Sequence, residues 1–363
     1  MKVCLIGNSL TTLSLAKNLI NKNIKVFNYS LSSKKKTITR TIGITKNNLD
    51  FFNSEILSIK KNMIWDIKTI NIYSEKYKNQ RILNFEKSKK NLFSMFKNDE
   101  IFNLLEKNLT KSNLYEKVYF KKNNSLRKIL KKNFDLVINC DFNNVITKEL
   151  FYKKIVKNYN SKAFTCIIKH KEISNKIASQ IFTKIGPIAF LPLSKSETSI
   201  VFSVDLNKNE FNKNKITDLI KFYNFKYKIL TFSKFEEFSL SYSVLRNYFH
   251  GNILAFGDII HKVHPLAGQG FNINLRDIKV LSKIIQKKID LGLPLDNLIF
   301  QEFENKTKHL NFVFTSGIDL VYELFKFDNK INNKISSKFF GIIDKNKHFN
   351  KFFSKYADEG LVL

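Results

Sequence analysis

The stretch GDIIHKVHPLAGQGFNINLRD at residues 257–277 holds a dense group of residues that could bind a ligand. It contains Gly257, Gly268, Gly270 and Pro265, although the whole chain of 363 residues has only 11 glycines and 4 prolines. Glycines let backbone N–H groups approach a ligand closely, and the helical pattern that follows places these groups at a helix N-terminus. The stretch therefore predicts a site for negative charge on a ligand.

Polar side chains stand within and before this loop. Asp258 ends the buried strand pattern NILAFGD (252–258), where its carboxylate could accept hydrogen bonds from two ligand hydroxyl groups. His261 and His264 could bind a metal ion or could fill a polar corner of the loop. A structural metal site usually needs four ligands, and no third candidate is evident beside them, so no metal site is predicted.

The elements that must position this loop begin with a strand, a helix and a second strand. KVCLIG (2–7) and IKVFNYS (24–30) are apolar strand patterns, and TTLSLAKNLINK (11–22) has helical spacing between them. Such a βαβ unit opens a parallel sheet, and FDLVINCD (134–141) predicts a further buried strand. Ligands of open α/β sheets bind beyond the carboxyl ends of the strands, so the loop GNSLTT (7–12) belongs to the predicted site.

A second part of the chain has a different pattern. The segments AFTCIIKH, IGPIAFLPL and TSIVFSVDL within 160–245 are rich in β-formers, and IWDIKTINIYS (64–74) predicts one more alternating strand. From residue 298 onward the apolar spacing is helical. We therefore predict an α/β fold in which a mainly antiparallel β-sheet domain is inserted into the first domain and helices follow.

The composition restricts the partners and the compartment. A net charge of +31 could reflect nucleic-acid binding, contact with an anionic membrane surface, or an even lysine-rich composition. The lysines are scattered and no basic–aromatic module is present, so we expect no nucleic-acid partner and retain the anionic membrane surface. Cys4, Cys140 and Cys166 are far apart, and no apolar run reaches the ~18 residues of a membrane span. We expect a cytoplasmic protein that can rest peripherally on the inner face of the membrane.

The 257–277 stretch resembles the second flavin motif of the class A FAD-dependent aromatic monooxygenases, and within them the ubiquinone-biosynthesis hydroxylases. Four other segments resemble parts of the same family, in the same order along the chain. These segments are RTIGIT (40–45), DLVINCDFNN (135–144), GPIAFLPL (186–193) and SGIDLVYELF (316–325).

The resemblance implies a domain organisation. It implies a Rossmann-like FAD-binding domain of the glutathione-reductase type, formed by residues 1–63, 98–158 and 246–300. The substrate-binding sheet would consist of residues 64–97 and 159–245, and residues 301–363 would form the C-terminal helical region.

The resemblance also implies the site residues. The residues expected to bind the cofactor are Gly7, Ser9, Thr12, Arg40, Asp141, Gly257 and Asp258. The loop expected beside the flavin ring, at its N1 and C2 carbonyl, consists of His264, Pro265, Leu266, Ala267, Gly268, Gln269, Gly270, Phe271 and Asn272.

The activity implied by the resemblance is ring hydroxylation. FAD would be the cofactor and NAD(P)H the reductant; O₂ would add at C4a of the reduced flavin, and the hydroperoxide would transfer one oxygen to a prenylated phenol or quinol precursor. No side-chain nucleophile is needed, because the cofactor carries the difficult chemistry. Other quinone-biosynthesis enzymes are expected partners.

Several positions depart from the family pattern. Ser9 and Thr12 replace two glycines of the dinucleotide loop, Phe142 replaces a glycine after Asp141, and an acidic residue is missing at the end of the second strand, where Asn28 and Ser30 stand. Three hypotheses follow: an active monooxygenase of ubiquinone biosynthesis, a non-catalytic relative that binds or organises quinone-biosynthesis enzymes, and a flavoprotein of the same fold that acts on another aromatic or prenyl substrate.

Overall fold

The computed structural model describes residues 1–31, 40–75, 80–86, 91–120, 126, 130, 132–206, 211–264 and 269–330. In chain order the strands are β1 (Lys2–Ile6), β2 (Lys25–Leu31), β3 (Thr41–Thr45), β4 (Trp65–Ile67), β5 (Thr69–Ser74), β6 (Gln80–Glu86), β7 (Phe93–Lys97), β8 (Tyr115–Phe120), β9 (Leu136–Asn139), β10 (Lys154–His170), β11 (Ile177–Phe182), β12 (Pro187–Pro192), β13 (Glu197–Asp205), β14 (Ile229–Phe232), β15 (Glu236–Leu245), β16 (Phe249–His250), β17 (Ile253–Ala255) and β18 (His261–Lys262). The helices are α1 (Leu10–Ile20), α2 (Lys46–Glu55), α3 (Asn98–Leu109), α4 (Val145–Leu150), α5 (Lys213–Tyr223), α6 (Gln269–Asp290) and α7 (Leu298–Lys330), with 3₁₀ turns at Lys61–Met63 and Gly257–Ile259.

A mainly parallel sheet forms the centre of the first part of the molecule. Its strand order is β16-β17-β9-β1-β2-β8, and β1 runs parallel to both β2 and β9. Four of the five residues of β1 and all four of β9 are buried, as expected for strands covered on both faces. Helices α1 and α6 pack beside these strands, and their apolar residues join one core cluster with the sheet. The βαβ unit predicted at the start of the chain is confirmed.

The second sheet is mainly antiparallel, as predicted. Its order is β18-β15-β10-β13-β12-β11-β5-β6, with β14 paired to β10. Among the described strands, β5 and β11 run parallel, whereas the other paired neighbours of this sheet are antiparallel. Ile216 and Ile220 of α5 pack against Phe202 and Ile168 on one face, so that this sheet has a core of its own.

One strand prediction was wrong. The stretch IWDIKTINIYS, predicted as one strand, forms β4 and β5 in different sheets. The chain changes partners at Lys68, whose N–H donates to the carbonyl of Lys176, while β4 joins β3 and β7 in a three-stranded sheet. Alternating apolar residues predict a strand but carry no information about which neighbour it pairs with.

Helix α7 begins at Leu298, as the helical pattern predicted, and contacts both α6 and the end of β15. Residues 331–363 of the predicted C-terminal region lie outside the described residues. The domain boundaries given above remain a prediction. Among the described residues, no helix combines the length and the apolar character needed to cross a membrane.

Candidate functional site

Three loops meet at the carboxyl edge of the parallel sheet. The last residues of β1, β9 and β17 stand side by side, because Ile6 pairs with Asn139 and Asn139 pairs with Ala255. The loops that follow therefore start next to one another, and they carry Gly7, Asp141 and Gly257. The structure thus brings these predicted residues together at the edge where α/β proteins bind ligands.

The backbone at this edge leaves no room for larger residues at two glycines. Gly7 has φ +138° and Gly257 has φ +68°, which are conformations that favour glycine. A Cβ on Gly7 would lie 3.1 Å from the Thr12 Oγ1 and 3.3 Å from the Cys140 carbonyl carbon. A Cβ on Gly257 would lie 3.3 Å from Thr11 Cγ2. Both glycines let the loops pack closely around the N-terminus of α1.

Ser9 and Thr12 form a capping box at that N-terminus. The Ser9 Oγ accepts a hydrogen bond from the Thr12 N–H at 3.2 Å, the Ser9 N–H donates to Thr12 Oγ1 at 3.4 Å, and the two hydroxyl oxygens are 2.9 Å apart. The two departures from the glycine pattern are therefore coupled, since each side chain caps the backbone of the other. The cap occupies the N–H of Thr12, a donor that a helix N-terminus without a cap offers to a ligand.

Asp141 closes a tight turn after β9. Its Oδ1 accepts a hydrogen bond from the Asn143 N–H at 2.9 Å, and its own N–H donates to Asn139 Oδ1 at 3.2 Å. Asn144 caps α4 by accepting from the Thr147 N–H at 2.8 Å. The turn is thus held by side-chain amides in place of the glycine, and the Phe142 side chain projects outward with 37% of its surface exposed.

Asp258 lies in the 3₁₀ turn after β17 with an exposed side chain. Its Oδ1 accepts a hydrogen bond from Asn274 Nδ2 at 3.2 Å, and the same amide donates to Thr11 Oγ1 at 2.9 Å. Asn274, which was not predicted as a site residue, thereby links α6, α1 and the Asp258 turn. This arrangement orients an accessible carboxylate at the carboxyl edge.

The N-terminal turn of α6 carries the described part of the predicted flavin-ring loop. A Cβ added to Gly270 would meet no atom of the described residues within 4 Å, so these residues leave space in front of this backbone. Gln269 Oε1 is buried without a hydrogen-bond partner among the described residues. Phe271 is buried edge-to-face against Phe96 at 6.3 Å between ring centroids. Pro265, Leu266, Ala267 and Gly268 lie outside the described residues.

Asn272 ties α6 to the neighbouring strand and helix. Its Oδ1 accepts from the Thr45 N–H at 2.9 Å and from Asn48 Nδ2 at 3.0 Å, and its Nδ2 donates to the Gly43 carbonyl at 2.8 Å. Because both ends of the buried amide are engaged, Asn272 positions the start of α6.

Arg40 lies beside the antiparallel sheet, whereas Asn28 and Ser30 lie near the carboxyl end of β2, where Tyr29 pairs with Ile6. The exposed Arg40 precedes β3, with its guanidinium 4.3 Å from the ring centroid of Phe238 in the antiparallel sheet. Asn28 and Ser30 are buried in β2, and Asn28 Nδ2 donates to the Tyr115 hydroxyl at 2.9 Å. The polar residues of β2 are therefore turned into the protein.

The two histidines of the loop have separate roles. His261 Nε2 lies 2.8 Å from Asp277 Oδ2 on α6, and Asn311 Nδ2 of α7 donates to Asp277 Oδ1 at 3.1 Å. His264 is buried without a partner for either ring nitrogen among the described residues. Burial lowers the pKa of His264 to about 3, and the nearby Asp319 carboxylate opposes this shift only in part. His264 is therefore neutral at physiological pH.

His264 belongs to an aromatic cluster that sequence reasoning missed. Its ring stacks on Tyr322 of α7 at 4.3 Å and meets the edge of Tyr159 of β10 at 5.5 Å. The Tyr159 hydroxyl donates to Asp319 Oδ1 at 2.6 Å, and burial raises the pKa of this phenol. The spacing of Asp319 and Tyr322 on one helix face was the available signal, but it did not reveal the partner strand.

Comparison with known proteins agrees with the predicted resemblance. Residues 137–290 match the family described as FAD binding domain, and residues 235–349 match the family described as squalene epoxidase. The mitochondrial ubiquinone biosynthesis monooxygenase COQ6 of Dictyostelium discoideum is 26% identical over 241 residues, which are 52% of this chain and 49% of that protein. The 3-demethoxyubiquinol 3-hydroxylase of Escherichia coli is 28% identical over 149 residues, 39% of this chain and 38% of that protein. The chain thus spans about half the length of the first of these curated relatives.

Solved structures confirm the fold over almost the whole chain. The p-nitrophenol 4-monooxygenase PnpA of Pseudomonas putida superimposes with a TM-score of 0.78 at 10% identity, covering 99% of this chain and 98% of that one. HpxO of Klebsiella pneumoniae, complexed with FAD and uric acid, gives a TM-score of 0.71 at 11% identity, with 99% and 97% coverage. The predicted fold class is therefore confirmed.

Proposed function

From a segment that matches the FAD binding domain family and a fold shared with monooxygenases, we propose that this chain is an FAD-dependent aromatic hydroxylase. Its substrate is a prenylated phenol or quinol precursor of ubiquinone, its reductant is NAD(P)H and its second substrate is O₂. The observation that carries the proposal is the convergence of the Gly7, Asp141 and Asp258 loops, with space left by the described residues before Gly270 of α6.

The residues present at the edge fit a flavin. The described residues leave space before Gly270 in which a ring could approach the first turn of α6, where N–H groups stabilise negative charge. The exposed Asp258 carboxylate suits hydroxyl groups of the ribityl chain. Gln269 Oε1, buried without a partner among the described residues, is an acceptor that a bound ligand would satisfy.

When bound, FAD supplies the redox chemistry, taking electrons from NAD(P)H and activating O₂. The chain supplies position and shielding. Asp258 would hold the ribityl hydroxyls, and the buried side chains around Phe271 would exclude water from the flavin ring. Asn272 fixes the start of α6 through its bonds to the Thr45 and Gly43 backbone.

The substrate enters between the antiparallel sheet and α7 in this proposal. The buried, stacked rings of His264, Tyr322 and Tyr159 lie at this boundary, and their faces offer aromatic surface to a prenyl tail. Phe312, Val313 and Leu320 are exposed on α7, and the chain carries a net charge of +31. These features support contact of α7 with an anionic membrane surface from which a prenylated substrate is drawn. We propose such peripheral attachment, and other quinone-biosynthesis enzymes as partners.

One observation favours a second candidate, a non-catalytic subunit that binds quinone-biosynthesis enzymes. The Ser9–Thr12 capping box occupies backbone N–H donors that a dinucleotide would use. The visible absorption spectrum of the purified chain, recorded with and without added FAD, separates the two. Flavin bands that NAD(P)H bleaches and air restores support the hydroxylase. A chain that retains no flavin after incubation with excess FAD supports the binding subunit. A prenylated phenol that accelerates bleaching would identify the substrate class, whereas acceleration by an unrelated aromatic would favour the third hypothesis.

Replacing Asp258 by alanine should weaken FAD binding while the protein stays folded. The variant loses the charged Asp258 carboxylate that would accept hydrogen bonds from FAD hydroxyl groups. The dissociation constant for FAD should therefore rise roughly 10- to 100-fold. Fluorescence titration of FAD measures it, and circular dichroism checks the fold. Asp218→Ala, which removes an exposed carboxylate from α5, is the matched control and should leave the dissociation constant unchanged. Full FAD affinity in Asp258→Ala would remove Asp258 from the site.

Restoring glycine at both Ser9 and Thr12 should tighten FAD binding and lower stability. The double variant frees the Thr12 N–H for a phosphate, which corresponds to about a three- to tenfold lower dissociation constant. It also loses the capping box and adds a glycine to the first helical turn, at about 1 kcal/mol of unfolding free energy. Asn212→Gly, which removes the cap of α5, controls for a lost cap alone. An unchanged FAD dissociation constant would mean that the capped loop already has a geometry suited to the diphosphate.

A further inference from the structure

Two lysines flank the phenylalanine that replaces glycine after Asp141. Lys154 Nζ lies 4.3 Å and Lys262 Nζ lies 5.7 Å from the ring centroid of Phe142. Both lysines are half-buried, and the ring is 37% exposed. Two ammonium groups thus meet at one aromatic side chain next to the carboxyl edge of the parallel sheet.

The strand register adds a hydroxyl group to this cluster. Val156 pairs with Ser243, and Ser243 pairs with Lys262, so the three side chains lie on one face of the sheet. Lys154 is two residues before Val156 and shares that face. Ser243 is 3% exposed, and its Oγ has no hydrogen-bond partner among the described residues. Val156, with 64% of its surface exposed, shows that this face reaches solvent beside the buried Ser243.

The two positive charges have no counter-charge from the described part of the protein. No ion pair joins Lys154 or Lys262 to a carboxylate there, whereas Lys157, on the opposite face, pairs with Asp319 at 3.0 Å. Burial lowers the pKa of Lys154, and the charge of Lys262 lowers it further. A ring face attracts each ammonium group but does not remove the repulsion between them. An anion would remove it.

We propose that Lys154, Lys262 and Ser243 form a phosphate-binding site walled by Phe142, and that its ligand is the diphosphate of the reducing nucleotide. The choice of nucleotide rests on the proposed function. A phosphate offers several acceptor oxygens to the two ammonium groups and the one hydroxyl. A lysine that moves from the Phe142 ring to a phosphate also exposes the ring face, on which a planar base can stack. A phospholipid headgroup presents the same phosphate chemistry and is the other source to be tested.

The first experiment titrates inorganic pyrophosphate into the 363-residue chain by calorimetry at low ionic strength. Lys154→Gln and Lys262→Gln should each raise its dissociation constant by about 5- to 20-fold, and Ser243→Ala by roughly threefold. Lys153→Gln removes the same charge from an exposed neighbour and should change it less than about twofold. Circular dichroism verifies that each variant folds. Pyrophosphate binding requires no flavin, so this result stands apart from the FAD spectrum that tests the proposed function.

The second experiment distinguishes the two sources of phosphate. NADPH should compete with pyrophosphate and lose affinity in Lys154→Gln and Lys262→Gln by the same factors, while sedimentation with phosphatidylglycerol vesicles is unaffected. Absent pyrophosphate binding, or an equal loss in Lys153→Gln, would overturn the site. Loss of vesicle binding without loss of NADPH affinity would overturn the assignment to a nucleotide and give the site to a lipid headgroup.

Discussion

Replacing His261 by leucine is expected to lower the free energy of unfolding by about 3 to 5 kcal/mol. The imidazole and the Asp277 carboxylate are both buried at a distance of 2.8 Å, with 1% of either side chain exposed. Leucine would leave the carboxylate with Asn311 as its described side-chain partner. A buried acceptor that loses a partner carries its full desolvation cost, so the loss should exceed that of an ordinary core substitution.

A double-mutant cycle measures this interaction by urea denaturation. Replacing both His261 and Asp277 by leucine should recover part of the loss, because no buried carboxylate then remains unpaired. His250→Leu is the control, since it makes the same chemical change at an exposed position of β16. Additive effects of the two single substitutions would show that the His261–Asp277 contact contributes no coupling energy.

This buried pair also explains how the site is positioned. His261 lies on β18, Asp277 on α6 and Asn311 on α7, so one hydrogen-bonded network joins these three elements. Both β18 and the start of α6 are thereby held in place, and Asn272 adds a connection from α6 to β3. Ligand-binding loops need such support, because a small displacement of the binding groups weakens the contacts they make.

Much of the fold was predictable because its signals are local. The apolar runs KVCLIG and FDLVINCD mark strands covered on both faces, and each ends at the edge where glycine or aspartate follows. These patterns placed Gly7, Asp141 and Asp258 at one sheet edge before their contacts were known. The division of residues 64–74 between two sheets was not predictable, since it depends on pairing with residues more than 20 positions away.

The features that sequence reasoning missed depend on pairs of residues. Ser9 and Thr12 were each interpreted as lost glycines, but their hydrogen bonds make them a capping box, in which threonine takes the place usually held by glutamate or glutamine. Lys154 and Lys262 are 108 positions apart along the chain and meet only because β10 and β18 both pair with β15. Single positions can be compared with a family pattern, whereas such pairings appear only in the folded chain.

Lowering the pH from 7 to 5 should reduce the free energy of unfolding of the protein. The reduction should be about 2 kcal/mol larger than in the His264→Phe variant. Burial lowers the pKa of His264 from 6.5 to about 3 in the folded state. Between these two values the unfolded chain binds a proton that the folded chain does not, so unfolding becomes easier as the pH falls. The stabilisation is complete above the unfolded pKa and is lost progressively below it.

The comparison with His264→Phe isolates this one group from the other titrating residues. Phenylalanine keeps an aromatic ring against Tyr322 and Tyr159 but binds no proton. Urea denaturation of both proteins at several pH values gives the difference in unfolding free energy. Its change from the value at pH 7 should approach a slope of about 1.4 kcal/mol per pH unit. Parallel pH profiles of the two proteins would mean that His264 takes up a proton in the folded protein, through a local opening of the cluster with Tyr322. If the substitution abolishes the extra slope, His264 stays neutral in the folded protein, buried between β10 and α7.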